Sequence, residues 1–166
     1  MTAQATLAEV GDKIVIPALN VGVIEAIETM TVGEATGRFF RILLPSGMRN
    51  WLPVGRLAEK GVRRIMSRET AEELFLVIAS QEAPIKRAHW NQRQQRYQQT
   101  LLDNRPRDLA AMLGELASIQ AQKGLLSPRE AEVYRRLHRL LVAELSQALQ
   151  VDENAAEARL EEATAA

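Results

Sequence analysis

Residues 11–54 read GDKIVIPALNVGVIEAIETMTVGEATGRFFRILLPSGMRNWLPV, and this stretch decides the fold. Gly11-Asp12 is a turn signal, and KIVIP after it is a short strand stopped by Pro17. After a turn at residues 18–20 the chain runs VGVIEAIETMTV over residues 21–32, where Val21, Val23, Glu25 and Ile27 alternate with other residues as in a long half-buried strand. Gly22 is the expected bulge or kink in it. Residues 33–37 (GEATG) form a hairpin loop, and residues 38–45 (RFFRILLP) form a third strand ended by Pro45. Ser46-Gly47 then turns the chain into a fourth strand, MRNWLPV. Short strands punctuated by Gly and Pro predict a small twisted antiparallel barrel of the SH3 or Tudor type, a common binding module. Trp51 and Leu52 face opposite ways in such a strand, so one of them points into the core; alternation alone does not say which.

Downstream of Ile65 the pattern changes period. Ser67 is an N-cap with Glu69 in the first turn, and Leu74, Val77 and Ile78 stripe the helix that follows. Residues 80–84 break it, and a second helix is predicted over residues 85–102, with Trp90, Tyr97 and Leu101 on one face. Pro106 restarts the chain into a third helix over 107–123, ended by Gly124. Ser127-Pro128-Arg129-Glu130 is a strong start signal for a long fourth helix to about residue 150, lined by Val133, Leu137, Leu140, Leu141, Leu145 and Leu149. Asp152 caps a short fifth. Five helices over so short a span predict a compact bundle rather than a zipper. The expected architecture is α+β: an antiparallel β-barrel over residues 1–65 followed by an all-α helical bundle over 66–166.

Composition bounds the function. The chain has 166 residues and no cysteine, which leaves no disulfide framework and no thiolate chemistry. No apolar run reaches the ~20 residues of a membrane span, and MTAQATLAEVGDK lacks the basic start and apolar core of a signal peptide, so a cytoplasmic protein is expected. The formal net charge is zero, but the charges are segregated. Arg38, Arg41, Arg49, Arg56, Lys60, Arg63 and Arg64 stand against Glu59, whereas the tail carries Asp152, Glu153, Glu157, Glu161 and Glu162 against Arg159. A neutral sum of this kind hides a basic face, and suggests weak DNA affinity that needs a second partner.

The most basic stretch is residues 84–107, PIKRAHWNQRQQRYQQTLLDNRPR. Lys86, Arg87, His89, Arg93, Arg96, Arg105 and Arg107 face a single acid, Asp103, with Trp90 in their midst. Two readings of Trp90 fit these residue types. A bulky ring among cations can wedge into or stack on nucleic acid while the cations hold phosphates. A ring that heads the apolar stripe of its own helix can equally be a packing anchor.

Chemistry is poorly supplied. There is no Gly-rich phosphate loop, no Gly-x-Gly-x-x-Gly and no Gly-x-Ser-x-Gly elbow. His89 and His138 are the only histidines, and His138 lies among Arg135, Arg136 and Arg139, which suits an anion-facing surface better than a general base. Adjacent carboxylates such as Glu72/Glu73 point to different sides of a helix. No enzymatic activity, metal, cofactor or small-molecule substrate is expected.

VGDKIVIPALNVGVIEAIE, PSGMRNWLPV, GVRRIMS and the helical half containing Trp90 together resemble the CarD/CdnL family of bacterial transcription factors, over nearly the whole chain. The same barrel occurs in transcription-repair coupling factor, but this chain has no ATPase motif. The resemblance implies a two-part adaptor. Its Tudor-like domain would bind the RNA polymerase β subunit, at the protrusion or β1 lobe, by sheet-edge pairing. Its helical domain would contact promoter DNA in the minor groove at the upstream edge of the melted bubble, with Trp90 as a wedge against bubble collapse. Arg93 and Arg136 match basic DNA-facing positions, and Lys86, Arg87, Arg96 and Arg139 extend that set; Gln92 and Gln95 stand where relatives often carry Arg or Lys. Met30 and Trp51 fall where some relatives use arginines against polymerase, and Arg49 accompanies them. A monomer is expected. An independent architectural DNA-binding protein and a protein-only polymerase adaptor are the competing readings.

Overall fold

The computed structural model describes residues 8–17, 20–82 and 90–165. The chain divides into two compact units, Met1–Ile65 and Met66–Ala166. The first is an antiparallel sheet and the second is helical, the α+β class that the turn chemistry and periodicities predict.

The first unit holds β1 (Lys13–Ile16), β2 (Asn20–Val32), β3 (Ala35–Leu43), β4 (Arg49–Pro53) and β5 (Arg63–Arg64), with a 3₁₀ turn at Val54–Arg56. Sheet order is β4-β3-β2-β1-β5, and every pairing is antiparallel. Ile14 and Ile16 of β1 share one core with Ile24, Phe40, Ile42 and with Leu52 of β4. Strands that are not neighbours in the ladder can meet this way only if the sheet curls, as in a Tudor-like barrel. Leu57 and Val62, from the segment after β4, complete that core.

Three details differ from the sequence expectation. The bulge falls at Glu25, where the register slips between Ile24 and Ala26, and not at Gly22. Gly22 answers to close packing instead: a Cβ there would lie 2.5 Å from Ile42 Cγ2. The hairpin loop is tighter than five residues, since Val32 already pairs with Ala35. β5 was not foreseen; two arginines are too short and too charged to show an alternation.

The second unit holds α1 (Arg68–Ala79), α2 (Trp90–Asp103), α3 (Pro106–Lys123), α4 (Pro128–Leu149) and α5 (Glu153–Ala165). The expected caps form. Ser67 Oγ accepts from Thr70 N–H, Ser127 Oγ from Glu130 N–H, and Asp152 Oδ1 from Ala155 N–H. Gly124 ends α3 in the left-handed region at φ 85°. The leucine stripe of α4 turns inward, with Leu137, Leu141, Leu145 and Leu149 buried in a core that also takes Leu74, Leu113, Leu116 and Leu160. The buried Glu144 carboxylate accepts the Met66 N–H at 2.8 Å, fixing the chain as it enters the unit. α5 lies along α1: Arg159 donates to both oxygens of Glu72 and sits 4.2 Å over the Phe75 ring.

Candidate nucleic-acid and polymerase-contact surfaces

α2 has two faces of opposite character. Arg93, Tyr97 and Leu101, four residues apart, form its buried face. Arg93 is only 9% exposed, and its Nη2 lies 3.6 Å from Oε1 of Glu130, itself buried in the first turn of α4. Tyr97 is fully buried; that burial pushes its phenol pKa up, and the nearby Glu130 and Glu115 push it further. Leu101 closes the stripe against the core.

The other face of α2 is polar. Gln92, Gln95, Arg96 and Gln99 line an open groove of about 950 Å³ whose second wall is Arg129, Glu132 and Arg136 of α4. Arg96 Nη2 donates to Glu115 Oε1 of α3 at 2.6 Å, and this hydrogen bond raises the Arg96 pKa. Among the described residues, neither Arg129 nor Arg136 is held in an ion pair. Amides and guanidiniums offer the hydrogen-bond donors that a phosphate backbone accepts, with the amide donors carrying no net charge.

The groove collects some of the residues singled out from the sequence. Arg96 and Arg136 line it together with Gln92 and Gln95. Arg139 is exposed further along α4. Arg93 faces Glu130 instead. Lys86, Arg87 and His89 lie outside the described residues, as does the Trp90 side chain; the backbone of Trp90 opens α2, and the predicted helix from 85 to 89 also falls outside them.

The basic stretches are less basic than they read. Arg93, Arg96 and Arg107 are each met by an acid from another helix, Glu130, Glu115 and Glu73. In the sheet unit Arg41 and Arg49 are met by Glu25 and Glu28, and Arg64 by Asp12. Counting charges along the chain misses these partners because they come from distant segments. His138 is likewise not walled by arginines alone: it stacks on Tyr134, and its ring nitrogen, Glu157 and Glu161 lie within 4.8 Å of one another at the surface.

In the sheet unit, alternation carries Met30, Arg49 and Trp51 to one face, the face opposite Phe40, Ile42 and Leu52. Trp51 is therefore a surface ring, 40% exposed, and Leu52 is the core residue of the pair. The ring is tied down at its polar edge: Nε1 donates to Glu28 Oε2 at 2.9 Å. Arg41, opposite Trp51 in the register, donates to both Glu28 and Glu25. Arg49 Nε donates to the same Glu25 oxygen at 2.9 Å. The run Arg49–Glu25–Arg41–Glu28–Trp51 is thus continuous across three strands. Sequence reasoning assigned Arg49 and Trp51 to the polymerase contact but gave no such role to Glu25, Glu28 or Arg41; acids on the second strand opposite bases on the third were the available signal. β4 ends the ladder, so this face runs out to a strand that has no further strand beside it among the described residues.

The chain thus joins a curled antiparallel sheet with an exposed aromatic ring to a helical unit with a groove between α2 and α4. Family descriptions match both modules: "CarD-like/TRCF RID domain" over residues 9–66, and "CarD, C-terminal domain" over residues 73–161, more than half of the chain. The chain belongs to the CarD family of RNA polymerase-interacting transcription factors.

Proposed function

We propose that this protein is a transcription regulator that stabilises the open promoter complex while bound to RNA polymerase. The sheet unit, residues 1–65, contacts the β subunit at its β1 lobe or protrusion. Met30, Arg49 and Trp51 face the partner, and the β4 edge supplies backbone pairing. The helical unit, residues 66–166, contacts promoter DNA at the upstream edge of the bubble. Trp90 enters the minor groove there, with Lys86, Arg87, Arg96, Arg136 and Arg139 along the backbone. The observation that carries this reading is that the helix opening with Trp90 presents, on its polar face, a groove lined by glutamines and arginines.

No bond is made or broken in this function. Closed and melted promoter are in equilibrium, and a factor that binds the melted form better shifts it by the difference in binding free energy alone. One ring on an unstacked step supplies on the order of 1–3 kcal/mol, about a five- to 150-fold change in open-complex occupancy. Weak DNA affinity suffices, because anchorage on polymerase raises the local concentration. Sequence preference is slight, since the minor-groove code is degenerate. The protein acts as a monomer in the nucleoid; no helix among the described residues is long and apolar enough to cross a membrane.

The test is the lifetime of open complexes formed by cognate polymerase with no factor, with wild type and with Trp90→Ala, alongside thermal unfolding of both proteins. Wild type lengthens the lifetime, and a normally folded Trp90→Ala does not. An unchanged lifetime in Trp90→Ala rules out the wedge. A protein-only adaptor is the second reading, favoured by the neutralisation of Arg93, Arg96 and Arg107. It predicts that wild type binds β and leaves the lifetime unaltered.

A further inference from the structure

Residues 90–103 read WNQRQQRYQQTLLD, and in the helix they form only Tyr97 and Leu101 of the described residues enter the bundle core. Both of these anchors lie in the C-terminal half of the helix, away from its first turn. The third residue of the buried stripe is a cation, Arg93, in the same first turn as Trp90. It meets Glu130, whose Oε1 also accepts from Ser127 Oγ at 3.1 Å and so belongs to the cap of α4. An apolar residue at position 93 would bury more cheaply than a charge; a buried ion pair contributes little net stability, but it satisfies only one alignment of the two helices.

We propose that Arg93 is a positioning residue: with Glu130 it locks the first turn of α2 against the capped start of α4, and so holds Trp90 where it meets DNA. This deepens the wedge reading and rests on it for its functional consequence, while the locking itself does not. Arg93 acts through the helix it fixes and not through a phosphate.

Glu130→Gln separates the two roles. Glutamine keeps the side-chain partner of Ser127 but removes the charge, so the Arg93–Glu130 ion pair is lost. A positioning Arg93 predicts faster amide hydrogen exchange across residues 90–97 in the free protein, with protection of α3 and α4 retained. It also predicts an open-complex lifetime gain reduced about tenfold, as follows if the aligned turn is populated one-tenth of the time. The charge-exchanged pair, Arg93→Glu with Glu130→Arg, restores both. Ser127→Ala is the control: it removes the cap and lowers stability while leaving the ion pair, and exchange across 90–97 stays at the wild-type rate.

The opposite result is equally definite. A phosphate-binding Arg93, relieved of that ion pair by Glu130→Gln, leaves exchange across 90–97 unchanged and lengthens the open-complex lifetime; either observation overturns the proposal. The exchange arm contains no DNA, so altered exchange alongside a wild-type protein that does not extend the lifetime refutes the wedge and leaves the lock standing.

Discussion

Glu25 illustrates how much of this molecule is decided by single side chains. It accepts from Arg49 and from Arg41, and the Arg49 hydrogen bond, followed by that of Arg41, holds its carboxyl below the ordinary value of 4.5 despite an opposing push from desolvation. A depressed carboxyl contributes stability that is complete above 4.5 and is lost as pH falls through the folded-state value. The sheet unit should therefore lose resistance to denaturant below pH 4.5, and Glu25→Gln should flatten that acid limb by lowering stability at neutral pH, with the two proteins converging at low pH. Urea midpoints of both proteins across the acid range measure it; parallel limbs would show that Glu25 does not contribute. Sequence periodicity narrowed Trp51 to one of two faces and stopped there. The choice was made by Leu52, which fits the core, and by Glu28, whose oxygen meets the indole N–H from 23 residues away. The burial of Arg93 is illegible in the sequence for the same reason: the acid it meets, Glu130, lies on another helix.

Helix ends were the most legible elements, because caps are local chemistry. Ser67, Ser127 and Asp152 could be read directly, since the side chain and the N–H it accepts from lie within one turn. Close approach between elements is not local, and Gly114 on α3 carried no signal. A Cβ at Gly114 would stand 2.5 Å from the Ile78 carbonyl oxygen of α1 and 2.8 Å from Gln81 Cγ. Two effects oppose each other in Gly114→Ala. Alanine favours the helix by roughly 1 kcal/mol, but overpacking against a fixed backbone atom costs about 1–3 kcal/mol. The backbone oxygen cannot rotate away, so packing wins and the substitution lowers stability. Urea denaturation checks the sign; a stabilised variant would mean that α1 and α3 separate easily.

At the scale of the whole molecule, the proposed function predicts a DNA contact that is weak in isolation, because the net charge is neutral and several arginines are paired. Among the described residues Arg129 and Arg136 line the groove outside any ion pair and Arg139 is exposed on the same helix; the proposed function adds Lys86 and Arg87, which lie outside the described residues. Releasing about five counterions gives a dependence of log affinity on log salt no steeper than about −5. Fluorescence anisotropy with a duplex or bubble fragment at several salt concentrations measures that slope, and a much steeper one would reveal a larger phosphate footprint.

The packing of α5 along α1 bears on how the helical unit is made. Arg159 and Glu72 stand 87 positions apart, and Leu160 belongs to the same core as Leu74. On the ribosome the sheet unit has all of its core residues early and can fold as it emerges, since domains generally form as units in order of synthesis. The helical unit cannot: until α5 is translated, α1 lacks the Arg159 that meets Glu72 and Phe75, and the apolar surface awaiting Leu160 stays open. Its folding is tied to the synthesis of α5, so a nascent polypeptide stalled or terminated before that helix would leave a sticky half-bundle attached to a finished sheet, a natural target for proteases.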